Sequence, residues 1–99
     1  MESLIWGSSV VVAAEGQVAC DLAGEAAILD IQSGMYYGLN AVGARIWQLI
    51  QEPRSVNEVL DTVLGEYDVE PDRCERDLLA LLQELAAKGL IEVKGGHAA

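Results

Sequence analysis

The sequence predicts an α+β, winged-helix-like domain. A three-stranded antiparallel N-terminal sheet packs on three helices, and a short C-terminal strand follows. Three observations predict it. Residues alternate with a period of two in the stretch that ends at Leu39. From Asn40 the apolar spacing switches to the helical period and keeps it as far as Leu85. Turn and cap residues stand where that order of elements needs breaks.

The strands come first. The β-branched run Val10–Ala14 is a candidate extra strand in an N-terminal extension, residues 1–16. In Gln17–Ala23, Val18, Cys20 and Leu22 alternate with Gln17, Ala19 and Asp21, which reads as a strand. "GE" closes a tight turn, and Ala26–Ile31 is a second strand. "QSG" turns the chain again, and Met35–Leu39 is a third, completing an antiparallel meander. Yet residues on both faces of "ILDIQSGMYYGLN" are apolar or aromatic, whereas a one-sided sheet should be greasy on one face only.

The helices follow. Asn40 can accept hydrogen bonds from the next amides as an N-cap, and Val42, Ile46, Leu49 and Ile50 form a stripe with Trp47 beside it, a core residue. Pro53 ends this helix. Ser55 and Glu58 form a capping box that opens a second helix, striped by Val56, Val59, Leu60, Val63 and Leu64. Pro71 and Asp72 open a third, in which Cys74, Leu78, Leu81, Leu82 and Leu85 share a face, and Gly89 supplies its left-handed cap. "LIEVK" is a short final strand, and residues 95–99, "GGHAA", read as a disordered tail.

Three helices with a terminal β element are often found on DNA. Here the charge has the wrong sign. Six Lys and Arg stand against 16 Asp and Glu, a net charge of −10, and a nucleic-acid or anionic-membrane binder needs cations to displace counterions from phosphate. The same balance permits a basic partner. The chain has 99 residues, enough for one domain. The start lacks a basic region followed by a long apolar run, so a signal peptide is not expected, and no stretch approaches the ~20 apolar residues of a membrane span. Two cysteines, Cys20 and Cys74, without a CxxC pair read as small core residues of a cytoplasmic protein.

Catalytic signatures are missing. There is no phosphate-binding loop, and the single histidine, His97, lies in the Gly-rich tail, so a Ser/His/Asp set cannot form. A cysteine nucleophile would need a base at a credible position. Zinc needs about four clustered ligands. The carboxylates sit on helix faces, where solvated charge is the ordinary reading. The expectation is a non-enzyme without cofactor or metal.

The ordered residues "AAILDIQSGMYYGLNAVGARIWQLI", followed by "SVNEVLDTVLGEYDV" and "DLLALLQELAAKGLIEV", resemble the PqqD-like family over residues 17–94. In the last piece Asp77, Leu81, Leu85, Gly89 and Leu90 match the family's pattern. The resemblance implies a RiPP recognition element: a non-catalytic domain that binds the leader of a ribosomally made precursor peptide and holds it for modifying enzymes. Members that act in pyrroloquinoline quinone synthesis usually carry a "PEG"-type turn between the last two strands. This chain has "QSGMYYGLN", which is more similar to the stand-alone leader-binding proteins of lasso-peptide pathways, whose partners are a cysteine leader peptidase and an ATP-dependent cyclase. A peptide chaperone in pyrroloquinoline quinone synthesis, a structural or dimerisation subunit, and a strand-swapped dimer in place of a monomer are the alternatives. Nucleic acid and membrane are not expected partners.

The resemblance also implies where the peptide goes: as an added strand beside the third strand, in the groove between it and the third helix. Met35, Tyr36, Tyr37 and Gly38 are the candidate residues on the strand, where Gly38 would let a second backbone approach. On the helix, Leu79 lies about 120° from the centre of the Cys74–Leu85 stripe. It reads either as an incidental surface leucine or as a groove wall, with Arg76 and Gln83 as a polar rim and small Ala80 leaving room for a peptide side chain.

Overall fold

The computed structural model describes residue 5 and residues 9–22 and 25–94. Within them the order is β1 (Val10–Ala13), β2 (Gln17–Leu22), β3 (Glu25–Asp30), β4 (Tyr36–Leu39), α1 (Ala41–Leu49), β5 (Arg54–Ser55), α2 (Val56–Glu66), α3 (Pro71–Ala87) and β6 (Ile91–Lys94). The architecture is α+β, as the periodicities predict. The expected disordered tail and the tip of the β2–β3 turn lie outside the described residues.

β2, β3 and β4 form the expected antiparallel meander, with Gln17 opposite Asp30 and Ile28 opposite Tyr37. Its second turn is organised by Asp30, whose carboxylate accepts from the Gln32 amide (3.1 Å) and the Ser33 hydroxyl (2.9 Å). The turn takes Met35 out of β4, which begins one residue later than the alternation suggests.

A second sheet goes beyond the sequence reading. β1 lies between β5 and β6, pairing Val11 with Arg54 on one side and with Val93 on the other. The final strand is therefore one third of a sheet rather than an isolated wing. Nothing local signals this, because the partners of β1 lie some forty and eighty residues away and "VVVA" does not alternate. Val11 is wholly buried.

The helix ends follow the sequence closely. Asn40 accepts from the Gly43 amide (2.9 Å) at the start of α1. Ser55 and Glu58 complete a reciprocal capping box on α2. α3 closes with a Schellman motif: Gly89, at φ +75°, donates to the Ala86 carbonyl, and Leu90 donates to the Leu85 carbonyl. α1 stops at Leu49, four residues before Pro53. Arg54 donates from Nε to the Leu49 carbonyl (2.7 Å), so a cation satisfies the end of α1 before the proline is reached.

One core joins both sheets and all three helices; Ile28, Ile50, Val59, Val63, Leu82 and Leu85 are among its most buried members, and Trp47 belongs to it as expected. Cys20 does not, and Cys74 packs against its margin. Both are free; Cys20 is exposed and Cys74 half-buried. Cys20 pairs with Ala27, one position from the Ala19–Ile28 pair that faces the core, so its side chain lies on the outer face of the meander. Val18, Leu29 and Tyr36 form a cross-strand row on that face, 46%, 41% and 75% exposed. The second apolar face of the strands is thus a solvent face.

Candidate functional site

Among the described residues β4 pairs with one strand, β3, and its other edge is open. The hydrogen-bond phase of the hairpin sets what that edge offers. The Asp30 amide donates to the Met35 carbonyl at 2.9 Å. Antiparallel pairs alternate between bonded and non-bonded, so Ile28–Tyr37 and Ala26–Leu39 are bonded pairs in the same register. The N–H and C=O groups of Tyr36 and Gly38 therefore point away from β3, towards the open edge. A Cβ placed on Gly38 would meet nothing within 4 Å.

Alongside this edge runs a cleft of about 740 Å³, bounded by β4, α1, the α2–α3 connection and the N-terminal half of α3. That is within the ~300–1,000 Å³ range of ligand pockets. Leu39, Val42, Ile46, Val63, Leu78 and Leu81 make its apolar floor. Asp68, Glu70, Arg73 and Asp77 make its polar rim. Beyond the cleft, Tyr37 joins β4 to α3. Its hydroxyl donates to Glu84 Oε1 at 2.7 Å, and Lys88 Nζ lies 5.9 Å from its ring centroid. Burial, and then the Glu84 carboxylate, push the phenol up to about 12, so it remains a neutral donor at any ordinary pH.

The sequence-predicted residues divide. Tyr37 and Gly38 line the cleft. Tyr36 offers its backbone to the edge while its ring lies on the outer face, and Met35, 66% exposed, sits in the turn before the strand. On α3 the expectation picks another side of the helix. Asp77, Leu81, Glu84 and Lys88 face β4, as their contacts with the cleft and with Tyr37 require. Arg76, Ala80 and Gln83 are exposed, about 60–120° round from Asp77, and do not line the cleft. Leu79 is half-buried and packed against the core, outside the lining of the cleft. The cleft is walled instead by the margin of the core stripe itself, Cys74 and Leu81 included. Both leucine-rich margins of α3 look alike in sequence. What separates them is which side β4 approaches, and that is a long-range fact.

Burial raises the Cys74 thiol above its ordinary value, away from the thiolate a nucleophile needs. Among the described residues, no group of three or more His, Cys, Asp or Glu side chains could hold a metal ion. No described helix is long and apolar enough to cross a membrane.

Residues 25–91 match the family model described as coenzyme PQQ synthesis protein D (PqqD). Among solved structures, the chain is similar to TbiB1 in complex with the TbiA(beta) leader peptide, at 38% identity and a TM-score of 0.74, covering 89% of this chain and 99% of that one. No curated protein shows significant similarity.

Proposed function

Since the chain belongs to the PqqD family, we propose that it is a RiPP recognition element that binds the leader of a ribosomally made precursor peptide as a strand added to β4. It presents the bound leader, without catalysis of its own, to a leader peptidase and a cyclase, in the cytoplasm and in lasso-peptide biosynthesis. The likeness to a solved protein in complex with a leader peptide supports leader binding. The observation that carries the mode of binding is the open β4 edge beside an apolar cleft.

The energetics require both parts. Tyr36 and Gly38 offer four backbone hydrogen bonds, each worth ~0.5–1.5 kcal/mol net. Ordering a disordered leader costs ~2–5 kcal/mol or more. These terms nearly cancel, so a micromolar affinity, about −8 kcal/mol, comes from side chains buried in the cleft at ~1.5–3 kcal/mol each. The edge fixes the backbone and the cleft floor supplies the affinity.

Anisotropy titration with a fluorescently labelled leader, from the precursor encoded beside this chain, tests the reading. Wild type binds saturably at micromolar concentration or tighter. Gly38→Pro removes one outward amide and leaves a leader carbonyl without its donor, at a cost of ~1–3 kcal/mol, about fivefold or more in Kd. Leu81→Ala weakens binding through the floor. Thermal melting confirms that each variant is folded. A folded wild type that does not bind the leader would sink the proposal. The unpaired β4 edge also suits a second copy. In that competing, dimeric reading the particle size grows with protein concentration and the leader has no effect on it.

A further inference from the structure

The cleft has a charge pattern that the backbone edge does not need. Three carboxylates, Asp68, Glu70 and Asp77, share its rim with one guanidinium, Arg73. Arg73 lies 3.9 Å from Asp77, with both side chains more than 70% exposed, a loose pair. Asp68 and Glu70 have no ion-pair partner among the described residues. Glu84, at the far end, is engaged by Tyr37. The open rim beside the apolar floor is therefore net negative, on a chain whose net charge is already −10. Two unpaired carboxylates flanking an apolar cleft favour a cation on whatever fills it and repel an acidic segment.

Resting on the leader-binding reading above, we infer that the occupant of this cleft is a basic peptide segment, in which a bulky apolar side chain enters the Leu39–Leu81 floor and a neighbouring Lys or Arg meets Asp68 and Glu70. The apolar anchor supplies affinity. The cation supplies orientation and rejects acidic peptides, because a carboxylate at that point would face two like charges. Long-range attraction to the acidic surface also speeds encounter, and it fades once the Debye length shrinks from about 8 Å at physiological salt to about 3 Å at 1 M.

The probes are two labelled peptides: the leader of the precursor encoded beside this chain, and the same leader with every Lys and Arg changed to Gln. On wild type the neutral version binds about two- to thirtyfold more weakly at low salt, the range set by two exposed ion pairs of ~0.2–1 kcal/mol each. On the Asp68→Asn, Glu70→Gln chain the difference between the peptides collapses, and raising the salt collapses it on wild type. Equal binding of the two peptides to wild type, or a natural leader without Lys or Arg near its apolar anchors, overturns the cationic assignment and leaves leader recognition standing. Failure of the folded protein to bind either peptide defeats leader recognition, and the cationic assignment with it.

Discussion

Tyr37 ties β4 to α3, and it does so from a position where a strand residue would ordinarily only pack. Its ring lies partly buried under Lys88, and its hydroxyl reaches Glu84 across the end of the cleft. The bond is between partly exposed groups and so adds little to stability, ~0.5–1.5 kcal/mol at most. It has a pH signature. The phenol's folded-state value, about 12, lies above its ordinary 10.0. The contribution is therefore complete below pH 10 and is lost as the pH rises through the folded value. Urea denaturation at pH 9 and pH 11.5 should show wild type losing more stability between the two than Tyr37→Phe, which has no proton to lose there. Equal losses would show that the phenol titrates as freely in the folded chain as in the unfolded one.

At the scale of elements, local chemistry determines most of what is seen. The Ser55 hydroxyl accepts from the Glu58 amide at 3.1 Å while the Glu58 carboxylate accepts from the Ser55 amide at 3.0 Å. Ser55→Ala should cost ~1 kcal/mol, read as a lower urea midpoint with an unchanged m-value. Caps of this kind can be read from sequence because the groups that satisfy one another lie three residues apart. The end of α1 cannot be read so, since the group that satisfies its last carbonyl is the Arg54 side chain, beyond the proline that looked like the terminator. The same limit governs the site. The open strand and its Gly38 were legible in "MYYGL"; the helix face opposite was not. Leu79 and Leu81 differ by two positions on one amphipathic helix. Both pack half-buried against the core, and only the packing of α3 against the body puts the second beside the cleft and the first away from it.

For the whole molecule, the segment that precedes the family match is part of the architecture. β1 lies between β5 and β6 and thereby joins the start of α2 to the end of α3. Its Ala13 amide also donates to the Ile50 carbonyl at 2.7 Å, just after α1. Val11→Ala should cost ~1.5–3 kcal/mol, more if the space left cannot collapse. Thermal melting of the variant against wild type checks this; an unchanged melting temperature would mean that β1 contributes little. The charge asymmetry acts at this scale too. Six Lys and Arg against 16 Asp and Glu give a long-range field that opposes polyanions and favours cations.

Because only alternate residues of β4 face outward, the receptor edge has a step size. Tyr36 and Gly38 repeat every two residues, about 6.7 Å along the strand. A guest that slips by one residue turns each of its side chains to the opposite face, and its anchor leaves the cleft floor. Permitted misalignments are therefore even-numbered, and the depth of the cleft selects among them. A leader bound as proposed is measured by a ruler with coarse graduations: its anchored residue is held at zero, and the span of peptide from that mark onward is fixed by the guest's own sequence.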